Sequence, residues 1–286
     1  MAYLQQAVPP GQVEDGCLRI PHAPLLSLAE TIIVRIEGVL LREVHAVDGA
    51  AAFVRAAGAR LLCVSNSSRD TGRTMSVKLR RAGIDVPPER IVIAGEEAVR
   101  LIAATYPGAR CLVAASRVLS HALRDFGLTP VQRDADVVIL GRDSGWTYQR
   151  LALIANEVAR GAVTVAINPR GASRCEDGRI VPEAGALCAS VEAATGKAIA
   201  HVVGATGAAM VAAALARLGD PDRAVPAVYI GPHDPARPGG PDLPGIRTLR
   251  VGAEARFDAA PDAAHSIPTL ADLTASLRPA RPARRH

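Results

Sequence analysis

Along the chain, short apolar runs rich in β-branched residues alternate with longer stretches in which apolar positions recur every three or four residues. The runs Thr31–Ile36 (TIIVRI), Arg60–Val64 (RLLCV) and Arg90–Ile93 (RIVI) predict strands. The stretches Val47–Ala57, Asp70–Ala82 and Glu96–Ala104 between and after them predict helices. This alternation is the signature of a parallel sheet covered by helices. Tyr106, Pro107 and Gly108 then interrupt the pattern, and a domain boundary is expected there. A second block follows, with strands over Ala109–Ala114, Asp136–Leu140 and Val163–Ile167 and helices over Arg117–Phe126, Thr147–Arg160 and Ala186–Ala194, the last closed by Gly196. Beyond it lie a strand at Ile199–Val203, a helix over Ala208–Leu218 and strands at Ala227–Ile230 and Arg247–Val251. One α/β unit inserted into another is the economical arrangement. The expected limits are 1–105 for the first core segment, with 1–28 as an N-terminal extension, 106–197 for the insert, and 198–286 for the second core segment and its basic tail.

Composition narrows the class. With 286 residues, 49% hydrophobic and 21% charged side chains, neither a disordered chain nor a small stapled fold is expected. The formal charge of +5 owes most of its value to the tail residues Arg278, Arg281, Arg284 and Arg285, so the body is nearly neutral and nucleic-acid binding is not expected. Lys78 and Lys197 are the only lysines. Five cysteines with no C-x-x-C spacing fit a reducing compartment, and the cytoplasm is the expected location. The first thirty residues lack the pattern of a signal peptide, and no run approaches a membrane span. The seven histidines show no H-x-x-x-H or H-x-H grouping, so no zinc site is expected, and no G-x-S-x-G elbow surrounds Ser65.

Several motifs in fixed order resemble one family. They are I-E-G-V-L (36–40), V-S-N-S-S-R (64–69), K-L-R-R-A-G-I (78–84), G-R-D-S-G-W-T-Y (141–148), A-I-N-P-R (166–170), P-E-A-G-A-L (182–187) and G-I-R-T-L (245–249). Over roughly residues 28–275 the chain resembles the haloacid dehalogenase (HAD)-like superfamily, specifically its p-nitrophenylphosphatase, phosphoglycolate and glycerol-phosphate phosphatase branch. The resemblance implies a doubly wound parallel-sheet, Rossmann-like core with an inserted α/β cap, and a homodimer. It also implies a chemistry in which an Asp attacks phosphorus, a second Asp two residues later serves as acid and base, a Ser or Thr and a Lys hold the phosphoryl group, and a carboxylate helps bind Mg²⁺.

Carried over residue by residue, that chemistry is largely missing. Where the family has D-x-D-G, this chain has Arg35, Ile36, Glu37 and Gly38. A guanidinium donates hydrogen bonds only and cannot attack phosphorus. The lysine position falls at Ala205 and the metal carboxylate position at Pro232. Ser65 and Asn66 remain as anion donors, and Asn168 and Arg170 match a substrate-facing N-x-D loop whose acid has become a base. The resemblance therefore implies a phosphatase-like protein without the aspartyl, Mg²⁺-dependent machinery, with no metal and no cofactor expected. It would bind an anionic, phosphorylated metabolite or a protein partner through Arg35, Ser65, Asn66, Asn168 and Arg170. The alternative is a repurposed, metal-independent enzyme that uses Glu37, His233 or Asp234 as acid or base on a phosphorylated or carboxylated small molecule. An Arg35–Glu37 or Arg35–Asp234 ion pair that only fills the former metal position is the competing structural role. For Arg142, Asp143, Trp146 and Tyr148 an architectural role is expected, with Thr147 capping the following helix.

Overall fold

The computed structural model describes residues 12–14, 17–19, 26–175, 177–204, 207–217, 227–232, 246–251, 265–267 and 269–277. Its strands are β1 (Gln12–Glu14), β2 (Cys17–Arg19), β3 (Thr31–Arg35), β4 (Leu41–Arg42), β5 (His45–Ala46), β6 (Leu61–Ser65), β7 (Ile91–Ile93), β8 (Arg110–Ala114), β9 (Thr129–Val131), β10 (Val137–Leu140), β11 (Val163–Ile167), β12 (Ala172–Arg174), β13 (Ile180–Pro182), β14 (His201–Val203), β15 (Ala227–Pro232), β16 (Arg247–Val251) and β17 (His265–Ile267). The helices are α1 (Ala50–Ala57), α2 (Gly72–Arg81), α3 (Ala94–Thr105), α4 (Arg117–Asp125), α5 (Tyr148–Ala159), α6 (Ala184–Thr195), α7 (Gly207–Ala216) and α8 (Leu270–Leu277). The chain divides into two compact units, one of Met1–Val64, Ser76–Ile91 and Ala214–His286, the other of Ser65–Met75 and Val92–Ala213.

A six-stranded sheet, β17-β16-β15-β3-β6-β7, organises the first unit. The neighbouring strands β17/β16, β16/β15, β15/β3 and β3/β6 run parallel. Ile32, Ile33 and Val34 are wholly buried, so β3 has no solvent face, which is why its sequence is a continuous apolar run rather than an alternating one. Helix α1 buries Ala50, Phe53, Val54 and Ala57, a single stripe at helical spacing, and packs on α8. Each fully buried Ile, Leu or Phe contributes about 1.5–3 kcal/mol of transfer free energy.

The second unit is built on an all-parallel sheet, β14-β11-β10-β8-β9. Its core includes Leu112, Val138, Leu140, Ile154, Val158 and Val191, with Trp146 packed against it. Glu157, buried on α5, accepts from the backbone N–H groups of Asp134 (3.1 Å) and Ala135 (3.0 Å) and pairs with Arg160. Burial pushes its carboxyl up, but Arg160 and the two N–H groups outweigh that cost and hold it below the usual carboxylate range. Gly185 in the first turn of α6 donates to the Arg170 carbonyl at 2.9 Å, and a Cβ there would stand 2.2 Å from the Pro169 oxygen, so this approach requires glycine.

Two elements near the expected limits at 106 and 197 have their partners in the second unit. Strand β14, expected in the second core segment, pairs with β11 in register Val165↔His201 and Ile167↔Val203. Helix α3, expected in the first core segment, packs on α4, β11 and β14. The Tyr106 hydroxyl at the end of α3 lies 2.9 Å from His201 Nε2. A three-residue strand has no face pattern from which to read its sheet; pairing decides it.

Candidate functional site

The chain leaves β3 at Arg35, whose Cα partner on β6 is Val64, and Ile36 N–H donates to the Val64 carbonyl at 2.9 Å. A tight loop follows, in which the Ile36 carbonyl accepts from Leu40 (3.0 Å) and Leu41 (2.9 Å), and Gly38 N–H donates to Leu41 (2.8 Å). Gly38 has φ 81°, and a Cβ there would meet the Pro232 side chain at 2.9 Å, so both conformation and contact select glycine. Val39 and Leu40 are wholly buried and anchor the loop. Arg35 and Glu37 are thus held on one short segment at the C-terminal end of the strand, with Pro232 at the end of neighbouring β15.

Their side chains meet. Arg35 Nε lies 3.8 Å from Glu37 Oε2, an ion pair longer than a hydrogen bond, with side chains 28% and 43% exposed. Arg35 Nε is itself out of solvent and has no hydrogen-bond acceptor. Buried Tyr229 of β15 completes the cluster. A Cβ on Gly231, two residues on, would stand 2.8 Å from its ring and 3.2 Å from its hydroxyl, so the ring leans along the strand toward this edge. Burial raises the Tyr229 phenol above its ordinary range, Glu37 adds to that, and the charge and hydrogen bond of Arg35 oppose it. Cys63, wholly buried on β6, is pushed up to about 12 by burial first and by Glu37 second, so it is an inert thiol.

In the second unit, Ser65 opens a loop closed on itself. Its hydroxyl accepts from Ser67 N–H at 3.1 Å, Ser67 Oγ donates to buried Asp70 at 2.8 Å, and Thr74 Oγ1 donates to the other Asp70 oxygen at 3.2 Å. Asn66 is half-buried, and its side chain makes no hydrogen bond among the described residues. Ser68 Oγ accepts from Arg142 N–H at 2.9 Å. Farther along, Asn168 sits in the left-handed region at φ 53°, and its N–H donates to Val203 at 2.8 Å. Arg170 is exposed and its Nε donates to the Ala172 carbonyl at 2.9 Å, folding the side chain back on its own segment. His233 and Asp234 lie outside the described residues, as does Ala205.

Thr147, Arg142 and Asp143 make the architectural contacts expected of them, whereas Tyr148 is exposed. Thr147 Oγ1 accepts from Arg150 N–H at 3.1 Å as the N-cap of α5. Arg142 pairs with Glu183 at 3.2 Å, and Asp143 Oδ1 accepts from Gly145 at 2.8 Å. Lys197 Nζ donates to the Val158 carbonyl near the end of α5 at 2.8 Å, and Lys78 is exposed on α2. Tyr229 is the functional-cluster residue the sequence reading missed. Its only signal was the spacing Tyr-x-Gly, which places a ring and an open position on the same strand face.

Residues 32–129 match the family of haloacid dehalogenase-like hydrolases. The acid sugar phosphatase of Staphylococcus aureus is 30% identical over 169 residues, 57% of this chain and 64% of that protein. The ribonucleotide monophosphatase NagD of Escherichia coli is 29% identical over 171 residues, 59% of this chain and 66% of that one. The matched stretch is thus just under two thirds of these relatives' length. Among solved structures, the glycerol phosphate phosphatase of Mycobacterium tuberculosis in complex with magnesium superposes with a TM-score of 0.75 at 23% identity, over 87% of this chain and 78% of that one. A p-nitrophenyl phosphatase from Archaeoglobus fulgidus does so with a TM-score of 0.75 at 24% identity, over 87% and 99%. Residues 32–129 thus form a haloacid dehalogenase-like segment, in a chain whose fold is shared with these phosphatases.

The likeness to haloacid dehalogenase-like hydrolases implies a divalent metal between carboxylates, and the described donors at the ends of β3 and β15 do not fit one. Arg35 brings a permanent positive charge to the end of β3, and Pro232 offers no side-chain ligand at the end of β15. Glu37 is the one carboxylate among Arg35, Glu37, Tyr229 and Pro232, and it is paired with Arg35. Among the described residues no group of three or more His, Cys, Asp or Glu could hold a metal ion.

Proposed function

We propose that this haloacid dehalogenase-like protein has lost phosphoryl-transfer chemistry and binds a phosphorylated small molecule through Arg35. One observation carries the reading: a guanidinium, 3.8 Å from Glu37, stands where a nucleophilic carboxylate would be needed. Its buried Nε has no acceptor, and such a donor gains from a charged oxygen. An incoming phosphate competes with Glu37 for the guanidinium and is repelled by that carboxylate. The relatives named for acid sugar, ribonucleotide and glycerol phosphate substrates supply the ligand class, phosphomonoesters.

The test is a thermal-shift and calorimetric titration with a panel of phosphomonoesters. Arg35→Ala is expected to abolish the response. Glu37→Gln is expected to tighten binding about fivefold, the equivalent of roughly 1 kcal/mol for a partly exposed ion pair. Asn66→Ala and Ser65→Ala test the second set of expected donors separately. If Glu37→Gln lowers stability without any phosphomonoester binding in either form, the pair is only a structural filler and the proposal fails.

A further inference from the structure

Helix α4 carries a basic stripe that uses no residue of the Arg35, Glu37 and Tyr229 cluster. Arg117, Ser120, His121 and Arg124 fall at positions i, i+3, i+4 and i+7, one side of the helix. With Val131 of β9 and Gln132 just beyond it, they line a cavity of about 380 Å³ that no carboxylate borders. That volume lies within the range of small-molecule sites.

Several arginines of the same unit are charge-matched. Arg110 pairs with Asp136, Arg142 with Glu183, Arg150 with Asp143, Arg160 with Glu157 and Arg179 with Asp177. Arg117 and Arg124 form no ion pair among the described residues, and the one hydrogen-bond contact of the Arg124 guanidinium is with His121 Nδ1 at 3.4 Å. Basic groups held on one helix face without a counter-charge repel one another, and a bound anion removes that repulsion. Seven residues of helix separate the two arginines by about 10 Å along the axis, a span that suits an extended anion better than a single phosphate.

We infer that this cavity is an anion site for a small molecule bearing a di- or triphosphate chain. Arg117 and Arg124 grip the two ends of the chain, Ser120 and Gln132 add hydrogen-bond donors, and Val131 offers an apolar wall to the organic part. The assignment is independent of Arg35.

The experiment titrates inorganic triphosphate and orthophosphate into the full-length protein at fixed ionic strength, read by calorimetry and melting temperature. Triphosphate is expected to bind saturably to the wild type and to Arg35→Ala, and more tightly than orthophosphate. Binding should weaken at least tenfold in Arg117→Ala/Arg124→Ala, and Gln132→Glu, which places a carboxylate in the lining, should weaken it as well. No saturable triphosphate binding, unchanged binding in the double variant, or loss of binding in Arg35→Ala would each overturn the assignment.

Discussion

Arg35, Glu37 and Tyr229 show where reading single residues succeeds and where it stops. By the resemblance, Arg35 puts a donor-only cation where the family carries an acceptor-only carboxylate. That Arg35 and Glu37 pair at 3.8 Å, and that the phenol of Tyr229 joins them, depends on strand register and on the open face above Gly231. An aromatic in an apolar strand reads as core, and Tyr229 is indeed buried; only its tip is chemistry. Cysteine reactivity gives a residue-scale prediction. Because burial pushes Cys63 up to about 12 and Cys111 and Cys188 up to about 11, all three stay protonated at pH 8. Thiol labelling of the native protein should therefore reach half-exposed Cys175 and leave these three until denaturant is added.

Elements were legible in proportion to their length and burial. Strands such as β3 and β10 are unbroken apolar runs, and α1 and α5 carry a clear helical period, so their existence follows from pattern alone. The short pieces were not legible: β9 is Thr-Pro-Val at a sheet edge, and β14 reveals its sheet only by pairing with β11. Two contacts fix elements of the second unit strongly enough to test. Gly185→Ala forces a Cβ onto the Pro169 carbonyl and should cost about 3 kcal/mol in urea unfolding. Glu157→Gln leaves an amide where two N–H groups and Arg160 require a carboxylate, and should cost about 2 kcal/mol at neutral pH. The folded Glu157 carboxyl sits below its ordinary range, so its contribution is present above the unfolded value and is lost as pH falls through the folded one. Melting temperatures from pH 7 to pH 3 should converge for wild type and variant.

For the whole molecule, the fold does not by itself fix the function. The parallel-sheet architecture is shared with phosphatases over most of the chain, while β3 ends at Arg35 and β15 at Pro232, where the resemblance implies acidic groups. No helix among the described residues is long and apolar enough to cross a membrane. The homodimer expected from the resemblance is checked by light scattering, which should return twice 29.7 kDa. The proposed loss of phosphoryl-transfer chemistry is read from turnover. Purified protein with Mg²⁺ is incubated with a panel of phosphomonoesters, and released phosphate is measured beside Ser65→Ala. The account predicts release no greater than in the variant; Mg²⁺-dependent release that Ser65→Ala abolishes would contradict it.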